Sequence, residues 1–80
     1  MKDQTPLIKT LDTLPIGQTA IIDAIAPSQL SSKLAQMGFL PNKKVTILRK
    51  TIFGNSLYLQ LGEQFIALRQ EEAALIIIRL

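Results

Sequence analysis

The sequence predicts a small all-β barrel carrying one short helix. Short β-branched or alternating runs recur at close spacing with turn signals between them. One stretch alone, Pro27 to Met37, carries helical spacing. Eighty residues leave room for one core, since a chain of this size buries only about 60% of the surface its unfolded form exposes.

Residues 1–13 are polar and mixed, with Leu7, Ile8, Leu11 and Leu14 spaced as in a short apolar turn. They are expected to pack on the domain as a lead-in. In Leu14-Pro15-Ile16-Gly17, proline presets φ for the second position of a turn and Gly17 supplies positive φ. Thr19 to Ile25 follows as a strand, dividing into Ala20, Ile22 and Ala24 against Thr19, Ile21, Asp23 and Ile25.

Pro27-Ser28 opens the helix, with Ser28 as its N-cap. Leu30, Leu34 and Met37 then fall at i, i+4 and i+7, the stripe by which a surface helix packs on a core. Gly38 ends it. With Gly38 as C′, Leu34 becomes C3 and Phe39 becomes C″, the pair that touches in a Schellman stop. Leu40-Pro41-Asn42-Lys43 is a turn with proline second and a left-handed-tolerant residue third.

Lys44 to Thr51 reads as a strand with Val45 and Ile47 on one face and Thr46 and Leu48 on the other. Phe53-Gly54-Asn55-Ser56 is a loop. Gly62-Glu63 then fits a two-residue type II′ hairpin turn. That turn pairs Leu61 with Gln64, Leu59 with Ile66 and Leu57 with Leu68, so Leu57, Leu59, Leu61, Ile66 and Leu68 form one apolar layer. Tyr58 beside Ala67 and Gln60 beside Phe65 take the other face. Arg69 to Glu72 is a polar break of about one 3₁₀ turn. Ala73 to Leu80 closes the chain as a strand; with Ile76 and Ile78 inward, Leu75 and Ile77 face out. The count is five strands, with the helix between the first and second.

Composition removes several chemistries. There is no cysteine and no histidine, so disulfides, thiolate sites, imidazole ligands and the commonest general base are all missing. Serines 28, 31, 32 and 56 serve as caps, helix surface and turn. No G-x-x-x-x-G-K-[ST] loop is present. Adjacent Glu71 and Glu72 read as a solvated turn rather than an acid–base pair, which needs opposed cleft walls. Asp23, Glu63, Glu71 and Glu72 lack the spacing of a calcium loop. No catalytic residue, metal site or cofactor is therefore expected, and a carboxylate-only site for Fe²⁺ or another divalent ion would be a weak one. The first residues lack an apolar signal core, and the longest apolar run, Ala73 to Ile78, is too short for a membrane span. A soluble cytoplasmic protein is the expectation.

Two groups of residues suggest a partner. The chain carries a net charge of +3 and a pI near 9.6, and Lys43, Lys44, Arg49 and Lys50 form a basic cluster on one strand. Such a cluster reads either as a phosphate-contacting stripe or as lysines guarding a strand edge against aggregation. Only one tyrosine and three phenylalanines are available to stack bases, with no paired aromatic platform. Tyr58, Phe65, Leu75 and Ile77 are apolar residues left outside the hairpin layer. They mark a protein-binding surface, or else Leu7, Ile8 and Leu11 cover part of them.

Four motifs, in order, resemble the FeoA family, small cytoplasmic proteins of bacterial ferrous iron transport. They are Leu14-Pro15-x-Gly17-x-x-Ala20-x-Ile22, Leu34-x-x-Met37-Gly38-Phe39-x-Pro41, Phe53-Gly54-Asn55-Ser56-Leu57, and Ala67-Leu68-Arg69-x-x-Glu72-Ala73-x-x-Ile76. Gly17, Leu34, Gly38, Phe39, Pro41, Gly54, Arg69 and Ala73 are the structural positions they share with the family. Asn42 stands where the family has glycine, and Ile52 and Ser56 replace the two prolines of its central loop. The resemblance implies an SH3-like β-barrel that docks on FeoB, a membrane transporter with a cytoplasmic GTPase domain, and modulates iron uptake without being an enzyme. It implies no nucleic-acid partner, contact with the membrane only through FeoB, and leaves room for a homo-oligomer. The same barrel also closes DtxR-type metal-dependent regulators, so a domain of such a regulator, or a basic nucleic-acid-binding barrel, is the alternative.

Overall fold

A computed structural model describes residues 9–51, Phe53 and residues 55–80. In chain order it contains β1 (Lys9–Thr10), a 3₁₀ turn (Leu11–Thr13), β2 (Thr19–Ile25), α1 (Ser31–Gln36), β3 (Lys44–Lys50), β4 (Ser56–Leu61), β5 (Gln64–Arg69), α2 (Gln70–Ala73) and β6 (Ile76–Arg79). The strands form one antiparallel sheet in the order β1-β6-β2-β3-β4-β5. Among the described residues this makes six strands rather than five, the extra one being the two-residue β1 within the lead-in. Among the described residues no strand pairing joins β5 to β1, so their hydrogen-bonded ladder is open, with β1 and β5 at its two ends.

The β4–β5 hairpin has the register that its turn dictates. Leu61 pairs with Gln64, Leu59 with Ile66, Leu57 with Leu68, Tyr58 with Ala67 and Gln60 with Phe65. Gly62 holds φ at +61 while Glu63 keeps negative φ, the type II′ combination. Leu57, Leu59, Leu61 and Leu68 are buried and Ile66 packs against them. A one-residue slip would turn all five outward.

Two bulges, one in β2 and one in β3, were not foreseen. The β2–β6 pairing shifts between Ile22 and Ala24, and the β3–β4 pairing shifts between Ile47 and Arg49. An extra residue reverses the alternation beyond it. Ala20 and Ile22 are buried, but Ala24 turns out and Ile25 packs on the core. In β3, Leu48 and Arg49 are both exposed after buried Ile47.

The helix stop is a Schellman motif. Gly38 has φ +108, its N–H donates to the Ala35 carbonyl at 3.0 Å, and the Phe39 N–H donates to the Leu34 carbonyl at 3.1 Å. Leu34 and Phe39 are both fully buried. Asn42 takes φ +73 at the third position of the next turn, where the Lys43 N–H donates to the Leu40 carbonyl at 3.3 Å. The Asn42 N–H then reaches the Ile22 carbonyl at 2.8 Å, which fixes α1 and its turn against β2.

Other local expectations are corrected. Ser28 does not cap α1; the N-cap is Leu30. Ser28 instead accepts the Leu30 N–H on its own hydroxyl, while the Ser31 hydroxyl accepts the Ser28 N–H, and this pair of side-chain bonds holds a separate turn ahead of the helix. Pro15 occupies the first position of its turn, not the second, because its carbonyl accepts from the Gln18 N–H; Gly17 is third, with φ +90. Lys43 precedes β3, and β3 ends at Lys50. The polar break after β5 is a short α-helix that includes Ala73, so β6 starts at Ile76.

The core contains Leu11 and Leu14 of the lead-in together with Ile22, Phe39, Ile47, Leu59 and Ile76. The expectations placed on Leu7, Ile8, Ile52 and Gly54 lie outside the described residues.

Candidate functional site

The outer face of β3, β4 and β5 is where the sheet leaves aromatic surface uncovered. Leu57 and Leu59 point inward, so Tyr58 projects outward between them; Ile66 and Leu68 do the same for Phe65 and Ala67. Tyr58 stands opposite Ala67, and Phe65 stands opposite Gln60. Tyr58 and Phe65 are therefore diagonal neighbours on one face, close enough for their rings to share a contact. The Gln60 amide donates to the Gly62 carbonyl at 3.0 Å and so leans toward the turn. Phe65 remains 73% exposed and Tyr58 39%.

The β3 bulge completes this face. By shifting the pairing it sets Arg49 opposite Tyr58, with the guanidinium carbon 5.0 Å from the ring centroid. Arg49 thereby covers Tyr58 through a cation–π contact and leaves Phe65 as the open ring. Arg69, with an exposed side chain, ends β5 on the same face. The result is an apolar strip, Tyr58, Ala67 and Phe65, flanked by two arginines.

Of the four apolar residues singled out from the sequence, the fold brings together only Tyr58 and Phe65. Ile77 is half-buried on β6, paired with Thr10 and Ala24, and two strands separate it from β4. Leu75 does not face out. It packs against the core, and its carbonyl accepts the Ala26 N–H at 2.8 Å.

The basic cluster is also divided. Lys44 pairs with Ile21 at one end of β3, roughly 16 Å along the strand from Arg49. Lys43 lies before it in the turn, beside Gly38, Leu61 and Gly62. At the far end Arg49 is engaged with Tyr58, and half-buried Lys50 donates to the Asp12 carbonyl at 3.3 Å. These four residues make two separate pairs, not a stripe.

Three carboxylates lie against cations. Asp23 accepts from Arg79 at 2.9 Å, and that arginine also donates to the Asn42 amide oxygen at 2.9 Å. Glu71 lies 3.9 Å from Arg69. Glu72 is the departure from expectation: it is not solvated but 6% exposed. One oxygen accepts from Lys33 at 2.7 Å and the other from the Arg69 N–H at 2.9 Å. Its carboxyl is held below the usual range by the Lys33 hydrogen bond first and the Arg69 N–H second, against the opposing effect of burial. The signal was present in the sequence, because glutamate at the third helical position reaching back to the N-cap N–H is half of a capping box. Among the described residues no three aspartate or glutamate side chains cluster as metal ligands, and no helix is long and apolar enough to cross a membrane.

What sequence reasoning missed on this outer face is the Arg49–Tyr58 contact, since nothing in the residue order marks the bulge that creates it. Phe53, 94% exposed, lies beside Arg49 and Lys50 at the loop end of the same strands.

The family model that matches this chain is the FeoA domain, over residues 9–80. Among solved structures, the FeoA-like protein from Clostridium acetobutylicum superposes with a TM-score of 0.86 at 23% identity, over 95% of this chain and 90% of that one. FeoA of Stenotrophomonas maltophilia, complexed with zinc, superposes with a TM-score of 0.79 at 25% identity, over 89% of each chain. That protein is described as a procaryotic SH3 domain protein and a candidate activating factor for bacterial ferrous iron transport. A manganese-dependent transcriptional repressor superposes with a TM-score of 0.81 at 18% identity, over 92% of this chain and 42% of that one, a likeness of fold alone. No curated protein matches.

Proposed function

The chain belongs to the FeoA domain family, and on that premise we propose that it is a non-enzymatic accessory protein of bacterial ferrous iron transport that docks on the cytoplasmic GTPase region of FeoB. The sheet is read as an SH3-like barrel whose work is to present a surface. It acts in the cytoplasm, reaches the membrane only through its partner, and holds no resident metal or cofactor.

The observation that carries the docking is the Phe65 ring. It is 73% exposed on the paired β4–β5 hairpin, beside Tyr58 and between Arg49 and Arg69. Aromatic and arginine side chains on ordered strands are the residues that dominate protein–protein interfaces. An apolar groove with acidic margins on the partner would match them.

Deleting this chain in its host, with FeoB intact, tests the role. Lowered uptake of labelled ferrous iron, restored by the wild-type chain and not by Phe65→Ser at equal abundance, is the expected result. Unchanged uptake on deletion would contradict the proposal.

A further inference from the structure

We infer that β5 is a self-pairing edge, and that two copies of this chain join β5 to β5 in an antiparallel register centred on Ile66. The inference does not rest on the docking proposed above.

Every second residue of β5 turns its backbone groups away from β4. Leu61 and Gln64 flank a two-residue turn, so they exchange both hydrogen bonds, and the exchange recurs at every second residue. The N–H and C=O groups of Gln64, Ile66 and Leu68 therefore point to β4. Those of Phe65, Ala67 and Arg69 point away from it. The Arg69 N–H is taken by Glu72 at 2.9 Å. Phe65 and Ala67 remain, both exposed, on a strand whose only strand partner among the described residues is β4.

Edges of this kind are ordinarily blunted by lysine, proline, a bulge or an inward charge. Gln64 to Leu68 carries neither lysine nor proline nor charge, and its register with β4 runs without a shift. The bulges of this sheet fall on β2 and β3 instead.

Three registers bring outward-pointing residues of two copies together. Centring on Ala67 requires the Arg69 N–H, which Glu72 already holds. Centring on Phe65 leaves Ala67 facing turn residue Glu63. Centring on Ile66 sets Phe65 opposite Ala67 of the second copy, and Ala67 opposite its Phe65. All four free donors and all four free acceptors are then used. The same register brings Glu63 opposite Arg69 at both ends, so the charges are complementary. It also lays the two outer faces side by side, with Phe65 of one copy over the small Ala67 of the other.

Sedimentation and light scattering across loads from about 10 μM to about 1 mM test this, since a self-association must follow protein concentration. The expected result is a concentration-dependent rise toward twice the chain mass, with the Phe65 and Ala67 amides gaining hydrogen-exchange protection in step. Ala67→Pro removes an N–H that β4 does not use, a place where an edge strand tolerates proline, and is expected to stay folded and raise the dissociation constant at least tenfold. Glu63→Arg weakens the dimer and the double reversal Glu63→Arg/Arg69→Glu restores it. A monomer at every load would overturn the inference, as would a dimer indifferent to Ala67→Pro and to charge reversal. Protection of the two amides that is independent of concentration would overturn it as well, by showing that the chain itself covers the edge.

Discussion

Lys33 on α1 lies 2.7 Å from the Glu72 carboxylate on α2, so an ion pair ties the two helical segments together. The lysine side chain is more than half exposed while the glutamate is buried, which makes the pair unequal. Lys33 supplies charge that water partly screens, whereas Glu72 also holds the Arg69 N–H and with it the start of α2.

Glu72 should make stability fall in acid. Its folded pKa lies below the ordinary glutamate value, so the folded form binds a proton less readily than the unfolded chain. The stabilisation is then fully present above the unfolded value and is lost as pH drops through the folded one. Glu72→Ala is expected to lower stability by about 1–2 kcal/mol at neutral pH, the range for a buried acceptor with one exposed ionic partner. Urea melts at a series of pH values should show the difference between wild type and variant shrinking below the ordinary glutamate range. A difference that stays constant into acid would mean that the charge plays no part.

Gly38 and Gly17 separate backbone strain from crowding. Both have positive φ, but a Cβ on Gly38 would meet Leu61 Cδ2 at 3.3 Å while one on Gly17 would meet nothing within 4 Å. Each alanine variant should lose about 1 kcal/mol from its left-handed backbone. Gly38→Ala should lose more, because the Leu61 methyl must yield as well. Equal melting midpoints for the two variants would remove the crowding contribution.

Leu11 measures how far the lead-in belongs to the core. It is fully buried in a 3₁₀ turn that precedes the main sheet. Leu11→Ala should cost about 2–5 kcal/mol, as for other buried leucines. A loss below about 1 kcal/mol would show that the sheet stands without it.

Much of this architecture was legible because it is local. The type II′ turn at Gly62 sets the six cross-strand pairs of β4 and β5, and the Schellman stop sets the end of α1, each from a handful of adjacent residues. What escaped the sequence is what long-range pairing decides. The bulges at Asp23 and Leu48 arise where two strands must match a third, and no residue type announces them. Without the second bulge, Arg49 would not lie on Tyr58. Glu72 was misjudged for a related reason: its cation comes from 39 residues away. Ser28 carried an N-cap signal that a preceding turn absorbed. Of the candidate surface, Tyr58 and Phe65 followed from hairpin parity alone, while Leu75 was misplaced because α2 takes up Ala73 and delays β6.

The most direct test of the proposed role is a titration of the FeoB cytoplasmic GTPase domain with this chain and with Phe65→Ser. Saturable binding by the wild type, weakened at least tenfold (about 1.4 kcal/mol) by Phe65→Ser at an unchanged melting midpoint, is the result the proposal predicts. Absence of binding, or equal binding by the two proteins, would contradict it.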